Sequence, residues 1–548
     1  MGGWTTDCRY PYSLPMKKKY LLLVVSTASV LLSCVNMPTN SGHSSGNAKT
    51  YYVSLSGNDY NDGMSPATPW KTIAKVNSEK FSGGQSILFE GGETFRGNLT
   101  IHDSGTSEAL ITVGSYGTGM ATINAGAGNG VYTYDAGYVE VRDLIVVGGW
   151  DETSQSGNSG AGILYDTDLN NNAHLGAVYV HHCNVSGFRN GGIVIDSSPS
   201  DRTQSGYDMV KISDNTVHDN GALGITTAGN EAPSGDETYC FTSVWIGNNT
   251  VYNNYGVKAH TSGHTGDGIV VGQAGGGFVQ HNIAYNNGWY SVSNAGGPAA
   301  IWCWDSKDLT FQNNIAHGNG SGNNLDGDGF DLDGGAVHCT MQYNYSYDNK
   351  GAGYLTWEFG NTRVSNGNNT VRYNVSQNNG TTGDYGEIHT GPNCNNNRYY
   401  NNTLYTNELP VKVLGGAGNQ FINNIFDSSA GNPVVQCAGT SATFLDNDYF
   451  EAGGSPIIEY DGTTYTSLVG FRRTGNETYH GVAYGSTANP DLVGGGSDNY
   501  HLSVGSPMIN AGFDLTRWGW KVGSTDFYGT RIPQGGSYDI GASEYVAP

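Results

Sequence analysis

Charge is scarce in this chain of 548 residues. Only 13% are Asp, Glu, Lys or Arg, and 25 Lys and Arg face 48 Asp and Glu, for a formal net charge of −23. A phosphate backbone needs a Lys/Arg surface, so nucleic acid is excluded as a partner, and an anionic polysaccharide is disfavoured unless a cation intervenes. Cysteine is sparse too. The eight copies show no CxxC zinc spacing and fall about one per repeat of the pattern described below, so they read as small buried apolar residues rather than a disulfide framework. Leucine is uncommon and helical periodicity is weak, which leaves little room for a helical domain. What is abundant is Gly, at 83 residues, together with Asn and Tyr. That mixture describes many short strands joined by tight turns, and a continuous solenoid would absorb the whole length as one elongated unit.

A repeat supports the solenoid. An Asn followed by two apolar or hydroxylated residues recurs at Asn184, Asn215, Asn249, Asn282, Asn314, Asn344, Asn374, Asn402, Asn424 and Asn447, at spacings of 22 to 34 residues. Periods in this range are solenoid periods. Asn suits the corner of such a coil because it tolerates left-handed backbone, and stacked amides can bond from coil to coil.

A second ladder follows each Asn by roughly a turn: GGIVID, LGITTA, DGIVVG, AAIWCW, DGFDLD, AGYLTW and GEIHTG. If Ile269, Ile301, Phe330, Tyr354 and Ile388 point inward, strand alternation sends Val271, Cys303, Leu332 and Thr356 inward as well. Trp302, Trp304, Asp331, Asp333, Leu355, Trp357 and His389 then face outward on coils about 4.8 Å apart. The most unusual chemistry lies on this ladder, at 323–335, NNLDGDGFDLDGG, where Asp326, Asp328, Asp331 and Asp333 crowd together. Carboxylates this close repel one another unless a cation, shared protons or a polar substrate fills the gap.

Trp beside Asp is sugar-binding chemistry, with the indole stacking on a pyranose and the carboxylates working as acid and base. Asp331 and Asp333, at i and i+2 of one strand, should lie roughly 6 to 7 Å apart, near the lower edge of an inverting glycosidase pair. They are the expected catalytic residues, with Asp328 orienting the water. Trp302, Trp304 and Trp357 are expected to bind substrate, assisted by His389, whose ordinary pKa suits proton transfer, and by Glu358 and Asp305 at neighbouring strand ends. The insertion at 257–266, with His260 and His264, is placed as a wall of the cleft.

The ends are also legible. Residues 16–19 open a basic region, 20–32 supply the apolar core of a secretory signal too short to span a bilayer, and the segment closes on Leu31-Leu32-Ser33-Cys34. This resembles a bacterial lipobox. It implies a leader and signal peptide over 1–33, acylation of Cys34, a flexible tether over 34–49, and an outer-membrane lipoprotein of a bacterial cell envelope, touching the membrane through its lipid alone. The next segment, YYVSLSGNDYNDGMSPATPWKTIAKVN with ILFEGGETFRG, resembles the N-terminal helical cap of right-handed parallel β-helix proteins of the pectate-lyase-like superfamily. The resemblance implies an all-β, single-stranded right-handed parallel β-helix over 50–480. Residues 481–548 resemble the terminal segment of secreted β-helix proteins, whose expected job is capping the last coil.

Two resemblances bear on chemistry. Asp328-Gly329-Phe330-Asp331 looks like part of the calcium site of polysaccharide lyase family nine, which implies Ca²⁺ at Asp328 and Asp326 with Asp267 as a further ligand. That family abstracts a proton with a lysine, and here Lys350 lies in a turn and Lys412 several coils away. The Asp cluster is also similar to polygalacturonase-type glycoside hydrolases, although their Gly-His-Gly and Arg-Ile-Lys motifs are absent. The carboxylate-rich, lysine-poor face favours a monomeric polysaccharide hydrolase that needs no cofactor. The alternatives are a Ca²⁺-dependent lyase and a non-catalytic glycan-binding lipoprotein.

Overall fold

The computed structural model describes residues 48–547, apart from positions 361, 382, 383, 430, 441, 496 and 497. The leader, the lipidation site Cys34 and nearly all of the tether lie outside the described residues. Three sheets of 14, 14 and 13 strands carry the regular structure, parallel throughout except for the last strand, Thr463–Tyr465, of one of them. From Ile111–Tyr116 onward the spatial neighbour of each strand is the third one along in sequence. The chain therefore visits three sheets per turn and stacks each turn on the last, which is a parallel β-helix. Alternation places one apolar set inside. Ile269, Val271, Ile301, Cys303, Phe330, Leu332, Tyr354 and Ile388 all belong to one continuous buried core, as the alternation requires.

The coil is pinned by amides. Asn215, Asn249, Asn282, Asn314, Asn344, Asn374, Asn402, Asn424 and Asn447 are all buried, and each side-chain N–H donates to the next Asn Oδ1 at 2.9 to 3.1 Å. Asn447 ends the run by donating to Glu477 Oε1 at 3.0 Å. Asn184 is not a member. Its register partner is Thr216, so Cys183 holds the ladder position in that coil and its backbone N–H donates to Asn215 Oδ1. Nor are the ladder residues themselves left-handed. The positive φ belongs to the residue before each one, including Asp214, Asn248, His281, Asn313 and Tyr343. The ladder selects Asn for its amide, and the turn is made one residue earlier.

A second ladder runs along the corner that leads into the sheet bearing the aspartates. Asn220, Asn254, Asn287, Asn319, Asn349 and Asn379 are bonded head to tail at 2.8 to 3.0 Å. It closes on the buried carboxylate of Glu387 at 2.7 Å. Outside the third sheet His218, Tyr252, Tyr285, His317 and Tyr347 stack ring on ring at 4.6 to 5.0 Å, which makes both histidines structural. The six described cysteines are free and buried.

The N-terminal cap is the helix Ile73–Ser78, which buries Ile73 and Val76 and is capped by Thr72. At the other end the short helix Leu468–Phe471 closes the coil, with Phe471 against Tyr449, Tyr460 and Phe444. The terminal segment was expected to serve as that cap. Instead it runs back along the outside, where Phe513, Leu515, Val522 and Ile532 cover Tyr373, Tyr400, Ile422 and Leu445. Among the described residues no helix is long and apolar enough to cross a membrane.

Replacing Asn314 by Ala strands the donors and acceptors that it joins on Asn282, Val279 and Asn344. A loss of about 2 kcal/mol or more is expected in urea unfolding, since each buried group left unpaired costs about 1–3 kcal/mol. Asn184→Ala, off the ladder, should change stability by under about 0.5 kcal/mol; equal effects at the two sites would contradict the assignment.

Candidate active site

The outward side chains of the aspartate-bearing sheet form two rows. Val270, Trp302, Asp331, Leu355, His389 and Lys412 are successive register partners. The second row lies two residues further along each strand. Gly272 pairs with Trp304, and the backbone N–H groups of Asp333, Trp357 and Gly391 donate to Cys303, Leu332 and Thr356 at 2.9, 3.1 and 2.8 Å. The row therefore reads Gly272, Trp304, Asp333, Trp357, Gly391. Loops that enter the sheet, including 253–266 and 318–327, stand on one side, and loops that leave it, 229–243 and 357–369, on the other.

Outward does not mean exposed. Trp302, Asp331, Leu355, His389 and Lys412 of the first row are all buried, because the loops fold over them. Trp302 is consequently not a sugar platform. Its indole N–H donates to Asp267 Oδ1 at 2.9 Å, and the ring of His264 stands edge-on to it at 4.7 Å. Asp267 also accepts from Ala299 N–H at 3.1 Å and meets His264 Nδ1 through its other oxygen at 2.8 Å. Burial opposes a charge on His264, but the Asp267 carboxylate prevails and raises its pKa above the ordinary value. In the second row Trp304 and Trp357 are only half-buried, as is Asp333.

Four further expectations change. Asp305 is buried in an ion pair with Arg363, Nε to Oδ1 2.9 Å, and accepts from Gln273 at 2.8 Å. Arg363 is itself buried and joins Gln204, Gln273 and the Thr238 carbonyl, so the pair ties the exit loops together. Glu358 bonds the N–H groups of Gly360 and Asn366 at 2.7 and 2.6 Å and shapes its own loop. Both carboxylates are taken up by protein groups. Asp267 has no oxygen to spare for a cation, and among the described residues no group of three or more His, Cys, Asp or Glu side chains is arranged to hold a metal. The calcium set of Asp326, Asp328 and Asp267 therefore does not fit. Lys412 stands nearer than expected, three strands from Asp331 in the same row, but its Nζ is held by the Asp384 carboxylate at 2.5 Å.

The acidic quartet separates into two layers. Asp328 and Asp331 are buried, each with one carboxylate oxygen, Oδ2 and Oδ1, that meets no partner. Burial, and then the neighbouring carboxylates, push both well above the usual carboxylate range. Asp333 and Asp326 form the partly exposed layer above them. Burial raises Asp333 to about 7 against its one hydrogen bond, from Gly334 N–H at 2.7 Å. Asp326 is raised as well, by burial, but it accepts from Tyr385 O–H at 2.7 Å and from Gly297 N–H at 2.7 Å, both of which favour its ionised form. Tyr385 lies 5.2 Å from the ring of His389, whose nitrogens have no partner and whose pKa falls to about 3, chiefly through burial. His389 is a neutral wall residue. His264 and Tyr385 are site residues that the motifs point to only weakly, since each acts through a loop that the repeat does not place.

Residues 169–368 match a family model described as a right handed beta helix region. The coil is right-handed. The chain is 28% identical over 478 residues to a lacto-N-biosidase of Bifidobacterium longum subsp. longum, an alignment covering 69% of this chain and 28% of the relative. It thus spans under a third of the length of the curated relative that it matches. Among solved structures, a GH136 lacto-N-biosidase from Eubacterium ramulus superposes with a TM-score of 0.50 at 20% identity, over 75% of this chain and 68% of that one. The pectate lyase Pel9A matches with a TM-score of 0.44 at 17% identity, over 91% of this chain and 97% of that one. The likeness to the Eubacterium ramulus enzyme shows the fold.

The buried acids predict an unusual pH response. Asp328, Asp331 and Asp333, with Asp427 and Glu477 at about 7, bind protons more tightly folded than unfolded, so stability should rise as pH falls through 7 and level off near the ordinary carboxylate range, about 4. Thermal melts should show a higher Tm at pH 5 than at pH 8, and Asp331→Asn should reduce that difference. The buried neutral His389 and His317 act in the opposite sense below about pH 6.5, so the deciding comparison is with the variant: an Asp331→Asn protein whose Tm responds to pH as the wild type does would contradict the protonated state of Asp331.

Proposed function

We propose that the chain is a glycoside hydrolase whose working carboxylates are Asp333 and Asp326. The observation that carries this reading is the layering: two partly exposed carboxylates over two buried ones, with half-buried tryptophans on both neighbouring strands. Asp331 and Asp328, named first from strand position, become supports. They lie buried beneath the pair, and it is burial that lets Asp333 keep a proton near neutral pH. The lacto-N-biosidase relative supports a glycan substrate and makes lacto-N-biosidase activity the first one to assay.

The two environments divide the labour. Asp333, with a pKa of about 7, is protonated often enough at neutral pH to serve as general acid. It gives its proton to the bridging oxygen as the bond to the anomeric carbon breaks. Asp326, whose two donors Tyr385 and Gly297 oppose the upward push of burial, is to act in its ionised form and faces the positive charge that develops on the sugar ring. Water supplies the oxygen that joins the anomeric carbon, and its proton passes to the Asp326 carboxylate. Elimination has less support, because the one lysine in the row, Lys412, is engaged by Asp384 and no calcium set assembles.

Incubation with a glycan panel that includes lacto-N-biosidase substrates, scored by new reducing ends, tests the assignment. Asp333→Asn and Asp326→Asn should each lower kcat by about 10²- to 10⁴-fold, the usual worth of a general acid or base. The wild-type rate should fall as pH rises through about 7, where Asp333 loses its proton, and Asp333→Asn should lack that limb. Full activity in both variants would overturn the pair, and binding without new reducing ends would show a glycan-binding protein instead.

A further inference from the structure

The two half-buried tryptophans do not lean over Asp333. A Cβ built on Gly272 would stand 2.5 Å from Trp304 Nε1 and 2.7 Å from its Cε2, so the Trp304 indole lies across the glycine of the preceding strand. A Cβ on Gly391 would meet Trp357 Cδ2 at 2.9 Å and Cζ3 at 3.0 Å, so the Trp357 indole lies across the glycine of the following strand. The rings tilt in opposite directions, each away from the coil that carries Asp333. Neither glycine has left-handed backbone, so the need at both positions is for close approach and not for conformational freedom. Each ring lies against a glycine and is half-buried overall, Trp304 also packing against the Val270 and Trp302 cluster and Trp357 standing edge-on to His389 at 6.2 Å, so the part that stays exposed is what a sugar can meet. Phe359, 52% exposed, lies over Gly334 beside Asp333 and closes the gap from the exit-loop side.

We propose that Gly272 and Gly391 are specificity-determining positions of this site. By letting Trp304 and Trp357 lie flat they open the space above Asp333 and set one stacking platform on each side of it. Each platform stands about two strand spacings, on the order of 10 Å, from Asp333. A pyranose repeat is close to one strand spacing, so the rings that stack are those one unit removed from the sugars flanking the scissile bond. The acidic surroundings suit a neutral chain of sugars over a uronate. This inference rests on the hydrolase reading above. A Cβ at either glycine would push its indole upright, towards Asp333, and remove one platform while leaving both carboxylates in place.

The test compares wild type, Gly272→Ala, Gly391→Ala, Trp304→Ala, Trp357→Ala and the doubles Gly272→Ala/Trp304→Ala and Gly391→Ala/Trp357→Ala on neutral oligosaccharides of graded length, the lacto-N-biosidase substrates of the panel included. The readouts are KM and kcat, with Kd by calorimetry in the Asp333→Asn background. Thermal melts establish that each variant is folded, and the tryptophan variants carry the test if a glycine variant is not. Each tryptophan change should raise KM and Kd roughly three- to tenfold, the size of one aromatic contact, and each glycine change should do the same while also lowering kcat, because the displaced indole crowds Asp333. Each double should be no weaker than its tryptophan single, because the glycine acts only through the ring. Glycine variants that match wild type, or a glycine penalty that persists in the alanine background, would overturn the inference while leaving hydrolysis intact. Wild-type protein that binds but does not cleave would overturn the hydrolase reading alone, since the Kd comparison still decides the platforms. Neither binding nor cleavage of any member would overturn both.

Discussion

The amide ladder is the interaction on which the rest of this molecule depends. An Asn side chain buried without partners would cost several kcal/mol in desolvation, and here each one repays that cost by bonding to the identical group one coil away. The repeat distance of the bonds is the strand spacing, so the ladder both tolerates burial and fixes the stacking. Two ladders run in parallel. The one from Asn220 to Asn379, ending on Glu387, follows the corner immediately before the functional sheet. It sets where each strand of that sheet begins, and hence which residues of successive coils stand side by side. Trp304, Asp333 and Trp357 align because their corners align.

A scaffold this regular can carry a locally unfavourable cluster. Four aspartates within one coil, two of them buried with an unpartnered oxygen, oppose folding at neutral pH rather than assist it. The coils above and below hold them in place through backbone pairing that does not depend on the site. That strain is the source of the useful property. Removing water from Asp328 and Asp331 favours their neutral forms, and the same burial raises Asp333 until it can hold a proton near pH 7. Asp326 is raised too, but two donors work against the shift. One short segment thus yields two raised carboxylates in different hydrogen-bonding surroundings.

Much of this is readable from the chain, and the failures have identifiable causes. The Asn period and the strand alternation place the coils and sort the inward from the outward side chains, because both depend only on backbone repeat. Asn184 misleads because the ladder tolerates Cys183 in its stead for the backbone half of the bond. Trp302, Asp305 and Glu358 mislead for another reason: alternation says which way a side chain leaves the strand, and not whether a loop then covers it. Loops 253–266 and 357–369 do so, and they turn the three residues into Asp267, Arg363 and Asn366 partners. Asp326 is the converse case. It precedes the strand and looks like a turn residue, yet Tyr385, 59 positions further along, brings it to the mouth of the site. Contacts of that range leave no trace in local pattern.

If this groove performs hydrolysis, the oxygen of water ends on the anomeric carbon. Digestion of a reactive glycan in heavy-oxygen water, with the products read by mass spectrometry, tests it most directly. Hydrolysis should leave one heavy oxygen in the fragment bearing the new reducing end and no unsaturated product. An unlabelled fragment with a carbon–carbon double bond would contradict it and assign the groove to elimination.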